Sequence, residues 1–161
     1  MNAFRIDVSD ERPRALLQKA PGLVERRLDD AIARGAEEVA RLGRDKAPKA
    51  FSILVNSIHA IRVGSLHYQV VTGTNYARHV EEGRAPGIQP GTANGLMEWV
   101  KQKTGLTGTD LDRRTFVVAR AIGRKGIRPQ SYMRPAAEEG EPIVRQLARA
   151  AVASAIEEAR A

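Results

Sequence analysis

The stretch Val71-Thr72-Gly73-Thr74-Asn75-Tyr76-Ala77-Arg78-His79-Val80-Glu81-Glu82-Gly83 changes its period partway along. Its first residues end a strand, Gly73 permits a tight turn, and the residues from Tyr76 onward have helical spacing. Asn75 can cap the orphan amides of that helical turn. Tyr76 and Val80 are four apart and share one face. Gly83 can take the left-handed conformation that closes a helix. A strand passing into a helix over so few residues predicts an α+β scaffold presenting a shaped, mixed-charge surface. The stretch carries no catalytic signature.

The residues before it predict a hairpin. Gly64-Ser65 reads as a two-residue type II′ turn with glycine first. Val63 then pairs with Leu66, Ile61 with Tyr68 and His59 with Val70, which makes one face mostly apolar. Arg62, His67 and Gln69 fall on the other. Further upstream, Val24, Leu28, Ala31, Ile32, Gly35, Val39 and Leu42 recur at spacings of three and four, the stripe of a long amphipathic helix. Pro48 disfavours helix at Ala47 and ends it. Residues 1–22 read as an N-terminal arm: Phe4, Ile6 and Val8 alternate as in an extended segment, a brief helix follows to Lys19, and Pro21-Gly22 interrupts it.

Downstream, residues 83–94 form a Gly/Pro-rich mobile loop, long for a compact domain. Residues 95–123 read as a helical insertion. Its first helix has Leu96, Trp99 and Val100 on one side and Gly105 as its stop. Its second runs from about Asp110 to Ile122, with Leu111, Thr115, Val118 and Ile122 on a stripe. Residues 127–133 read as extended, and Pro135 can open a final helix at its first position. Gly140 and Pro142 are expected to kink or restart that helix, which then packs against the long N-terminal one. The fold class is therefore α+β: long N-terminal and C-terminal helices on a small, mainly antiparallel sheet, with a long loop and two inserted helices. At 161 residues this is one domain, burying roughly 70% of its extended-chain surface.

Composition narrows the function. Only 4% of residues are aromatic, so Ala, Val, Leu and Ile build the core. There is no cysteine, hence no disulfide and no thiolate nucleophile or metal ligand. No apolar run approaches the ~18 residues of a membrane span, and the N-terminus lacks a signal-peptide layout. These features predict a soluble chain made in a cytoplasm. The net charge of +7 is localised: Arg113, Arg114, Arg120, Arg124, Lys125, Arg128 and Arg134 lie in a segment without one acid, and the rest of the chain is neutral. Such a segment suits nucleic-acid phosphates, an acidic protein surface, or plain solvation. Only Phe116 and Tyr132 interleave as aromatics, which argues against a single-strand stacking platform.

No catalytic cluster emerges. His79-Val80-Glu81 brings an imidazole near a carboxylate, but the spacing is not that of a zinc helix and no third ligand is evident. No serine sits in a nucleophile elbow, and the glycine pairs lack the phosphate-loop context. The expectation is a non-enzyme with no cofactor and no metal.

The order of features resembles the small neck proteins of long-tailed bacteriophages, the tail-completion or head–tail joining family, also described as minor tail components. Four matches carry the resemblance. Ala47-Pro48 follows the long helix, and Leu54-Val55-Asn56-Ser57-Ile58 opens the first strand. Thr72-Gly73-Thr74-Asn75-Tyr76-Ala77 with Val80-Glu81-Glu82-Gly83 is similar to the family's Gly-Thr-x-x-x-Tyr-Ala-x-x-x-Glu-x-Gly core. Arg128-Pro129-Gln130-Ser131-Tyr132-Met133-Arg134-Pro135-Ala136 is similar to its Pro-x-Pro-Phe-(Leu/Met)-Arg-Pro-Ala close, with Tyr132 where Phe is frequent and Ser131 where Pro is. A helix then runs to the C-terminus.

The resemblance implies a structural virion protein that forms a ring, commonly a hexamer, at the top of the tail tube. Such a ring acts as a tail terminator and joins tail to head, with genomic DNA passing through the lumen. It implies as partners other copies of the chain, the tail tube protein and the head–tail connector proteins, with nonspecific DNA contact and no membrane. Tyr76, Glu81, Gly83, Tyr132, Met133 and Arg134 are the residues expected to make or shape subunit contacts, Glu81 by pairing with an arginine such as Arg134 of the next copy. The alternative for Tyr76 and Tyr132 is packing inside their own subunit. Arg113, Arg114, Arg120, Arg124, Lys125 and Arg128 are expected to face lumen DNA or an acidic partner. Two rivals stand beside this reading: a free basic nucleic-acid-binding protein using residues 113–134, and a metal-dependent nuclease using His79 and Glu81.

Overall fold

A computed structural model describes residues 21–49, 52–87 and 95–159. The expected arm up to residue 20 and residues 88–94 of the loop lie outside them. The described chain is α+β, with α1 Pro21–Lys46, α2 Ser52–Asn56, β1 Ile58–Gly64, β2 His67–Thr72, α3 Ala77–Glu82, α4 Leu96–Thr104, α5 Gly108–Lys125 and α6 Met133–Glu158. Among the described residues the single sheet is the β1–β2 pair. The chain divides into two compact units: residues 1–45, 58–71 and 134–161, and residues 46–57 and 72–133.

The first unit is organised by α1 and α6. Pro21 opens α1, as suits a residue with no amide hydrogen at a first helical position; the brief helix it was expected to interrupt lies outside the described residues. The predicted stripe is buried at Val24, Ala31, Gly35 and Leu42. The two long helices approach at glycines. A Cβ on Gly35 would stand 2.9 Å from a Val144 methyl, and one on Gly140 would stand 2.5 Å from a Val39 methyl. Gly140 and Pro142 were expected to kink or restart α6; it does not restart, and runs as one helix of 26 residues with Pro142 inside. Gly140 is there for close helix packing, and that packing outweighs the hydrogen bond Pro142 cannot make. Pro135 stands third, still among the amides that have no intrahelical acceptor. Arg27 of α1 meets Glu158 of α6 at 2.7 Å.

The hairpin corrects the expected register. Ser65 and Leu66 form the turn, between Gly64 and His67. The positive φ falls on Leu66, at 56°, and not on Gly64. The cause lies far away in sequence. Asp29 of α1 accepts from the Leu66 amide at 2.8 Å and the Tyr68 hydroxyl at 3.1 Å, and pairs with Arg62 at 3.1 Å. Ser65 also hydrogen-bonds Glu25. Arg62 and Tyr68 therefore reach one carboxylate together, although they were assigned to opposite faces. Leu66 lies in the turn and outside β2, so the pairing of Val63 with Leu66 is overturned; moving the turn by one residue shifts each cross-strand partner by two and leaves the faces as assigned. Ile61, Val63 and Leu66 are left exposed.

The second unit begins with α2, where Leu54 is fully buried. Residues 54–56 were read as opening the first strand; they are helical, and the strand starts at Ile58. The α4–α5 pair is joined by Gly105, left-handed at φ 69° with its amide bonded to Lys101 O at 2.8 Å, so the expected stop is present. Val100 of α4 and Leu111, Thr115 and Ala119 of α5 are buried. The Thr115 hydroxyl donates to Leu111 O at 2.7 Å, which satisfies the polar group inside.

Candidate partner interface

The two sequence motifs converge within the second unit. α3 is capped at Tyr76 with no side-chain bond, so Asn75 does not cap it. Ala77 and Val80 are buried on its inner side. At its end, Gly83 has φ 77° and ψ −176°, which is not the expected left-handed helix closure. A Cβ there would stand 2.8 Å from Ile127 O and 2.9 Å from Pro129. Arg84 and Ile127 exchange both backbone bonds, at 2.9 and 2.8 Å. Gly87 N donates to Gly123 O and Gln130 N to Val80 O, each at 2.8 Å. Gly126, at φ 72°, lets the end of α5 pass against the Arg84 carbonyl, where a Cβ would stand at 2.3 Å.

Glu81 completes this junction. Its Oε2 accepts from the amides of Tyr132 at 2.7 Å and Met133 at 3.0 Å, and its backbone oxygen accepts from the Ser131 hydroxyl at 3.2 Å. The first turn of α6 carries no acid of its own. Glu81 brings a carboxylate to those orphan amides and to the positive end of the helix dipole. This bond spans 51 residues, so local capping rules do not reveal it.

Tyr132 is 1% exposed and Tyr76 half-buried. Burial first, and then the nearby Glu81 charge, push the Tyr132 hydroxyl up to about 12, against a hydrogen bond with the Thr72 side chain. Burial also raises Tyr76, opposed by the Thr74 side chain and the Leu54 backbone. A side chain as enclosed as Tyr132 offers a partner almost no surface. Glu81, Gly83 and Tyr132 hold the junction together from within. Met133 is half-buried and Arg134 exposed. His79 is half-buried, and among the described residues no group of three or more His, Cys, Asp or Glu side chains is placed to hold a metal ion.

The basic residues take the opposite role. Arg113, Arg114, Arg120, Arg124, Lys125 and Arg128 are all exposed, and among the described residues none of them forms an ion pair. The second unit holds 12 of the 26 basic and 5 of the 19 acidic residues, so it carries the entire excess charge and the first unit is neutral. At 3.6 residues per turn, Arg113, Arg120 and Arg124 fall within about 40° of one another on the outward side of α5. Phe116 and Val117 flank that line, one on each side, and are 52% and 55% exposed. These two apolar residues were missed as site residues. The signal was present in the sequence: with Leu111, Thr115, Val118 and Ile122 turned inward, residues 116 and 117 must point away.

No protein-family model, curated protein or solved structure matches the chain. Among the described residues no helix is long and apolar enough to cross a membrane.

Proposed function

We propose that the chain is a structural, non-enzymatic virion protein of the phage neck. In this reading copies assemble into a ring, sixfold by the resemblance, that completes the tail and joins it to the head. Its partners are the tail tube and head–tail connector proteins, and DNA passes through the lumen. One observation supports the reading above others. The two motifs behind the resemblance, residues 72–83 and 128–136, meet at Glu81, where one carboxylate binds both Tyr132 and Met133 amides. Residues that recur together as a pattern then share one mechanical task, holding a rigid junction. A ring also needs surfaces that stay open on the lone chain, and α5 and the hairpin both leave apolar side chains exposed.

The test is quantitative mass spectrometry of gradient-purified phage particles, with this chain counted against the major tail tube protein. The expected result is a fixed copy number equal to one ring per particle. Absence from intact particles overturns the reading. Tight duplex binding by the free chain, falling steeply with salt, would then favour the nucleic-acid-binding alternative.

A further inference from the structure

We infer that the outward face of α5 docks a protein surface that is acidic around an apolar centre, and not nucleic acid. The face is a line of three cations, Arg113, Arg120 and Arg124, running about 16 Å along the helix at 1.5 Å per residue. Phe116 and Val117 stand beside it at the middle of the helix, more than half exposed. Duplex DNA meets such a face with hydrated phosphates, and the apolar contacts it does offer, thymine methyls and unstacked base steps, lie inside the grooves and are reached there only by entering or deforming the duplex. A protein surface offers carboxylates that arginine grips in bidentate fashion and an apolar pocket for the Phe ring. Arginine and aromatic side chains are also the types enriched at protein interfaces.

Two other occupants fit less well. A second copy pairing antiparallel about Phe116 and Val117 would set Arg113 against the Arg120 of the other copy, placing like charges together. An anionic membrane needs a continuous apolar face, and that face of α5, with Leu111, Thr115 and Ala119, is already buried inside the protein. What remains is a partner with at least three carboxylates arranged around a small apolar depression. The inference goes beyond the neck reading and holds whatever assembly the partner belongs to.

The test measures binding of the full-length protein to four probes. These are a designed helical peptide with a Leu/Phe stripe flanked by Glu, a peptide of equal charge with that stripe replaced by Ser and Gln, a mixed-sequence DNA duplex, and vesicles containing anionic lipid. The expected result is at least tenfold tighter binding of the first peptide than of the second. Replacing Phe116→Ser together with Val117→Ser should reduce that preference below about threefold and leave binding of the second peptide unchanged. Arg120→Glu should weaken both peptides. Because these side chains are exposed, the variants should melt within a few degrees of the parent, and melting curves check that. Equal binding of the two peptides overturns the inference. So does DNA or vesicle binding tighter than the first peptide and indifferent to the double substitution, or a self-association that the double substitution abolishes. Failure here leaves the particle copy number untouched, and absence from particles leaves this binding preference standing.

Discussion

In the first unit, Arg27, Arg41, Arg62 and Arg145 each meet a carboxylate of the same unit; in the second, Arg78 meets Glu82, but Arg113, Arg120 and Arg124 on the outward face of α5 meet none among the described residues. Exposed ion pairs contribute little to stability, so this difference is not about how firmly either unit is held. It concerns what each leaves for others to bind. The first unit balances its own charge, and the second presents a cationic face around two apolar side chains. Glycine use differs in parallel. Gly35 and Gly140 are helical and serve only close approach between α1 and α6. Gly83 and Gly126 need both the space and a backbone region nearly closed to other residues.

That contrast ranks two substitutions. Gly126→Ala must place a Cβ 2.3 Å from a backbone carbonyl at φ 72°, with no flexible side chain to give way. Adding strain of about 1–3 kcal/mol to a severe clash, the expected loss is about 3 kcal/mol or more. Gly140→Ala instead meets a valine methyl at 2.5 Å in an ordinary helical conformation. Overpacking costs about 1–3 kcal/mol, and alanine recovers up to about 1 of that through helix propensity. Denaturant midpoints of the two variants test the order. Gly140→Ala proving the more damaging would mean that the second unit relaxes around its loops and that its junction is not rigid.

What the sequence disclosed follows from how local each cause is. The α1 stripe, the end of α1 at Ala47-Pro48 and the Gly105 stop depend on neighbours within a turn or two, and each was readable. The hairpin register was not, because Asp29 of α1 selects which residue takes the positive φ, and nothing near Gly64 records that. Glycine preference alone pointed to Gly64; a carboxylate on another element placed the strain on Leu66. The role of Glu81 was hidden for the same reason. The resemblance suggested an arginine of the next copy as its partner, whereas Glu81 binds backbone amides of its own chain that any sequence could supply. Phe116 and Val117 are the reverse case: their outward direction was readable from the α5 stripe, but only burial establishes that the chain leaves them uncovered.

Glu81 separates the two roles a motif glutamate can play. As a brace inside its own subunit, its loss is felt by the isolated chain. Glu81→Ala should cost about 1–2 kcal/mol, the range for losing a helix cap together with a favourable charge at the helix start. Glu81→Gln keeps an acceptor oxygen and should recover part of that loss. Thermal melts of the three proteins at low concentration give the comparison, and hydrogen exchange at the Tyr132 and Met133 amides localises it. Unchanged melting with faster exchange nowhere would assign Glu81 to a contact outside its own chain.

The smallest effect at neutral pH belongs to the Tyr132 hydroxyl, and its sign is fixed by where the proton is held. The native hydroxyl titrates at about 12, against about 10 in the unfolded chain. Below pH ~10 both states keep the proton and the contribution is constant. Between there and about 12 the unfolded chain releases it first, so stability falls as pH rises. Tyr132→Phe cannot lose that proton and should show a shallower alkaline decline, crossing the parent curve if its neutral-pH stability is slightly lower. Tyr68 and Tyr76 are also raised, so some slope remains in the variant. Tyrosinate absorbance follows the same event directly, and the variant should lack the last-titrating step. If that step persists, the enclosed hydroxyl belongs to another tyrosine, and the tight core around Glu81 and Thr72 is looser than the contrast between the two units requires.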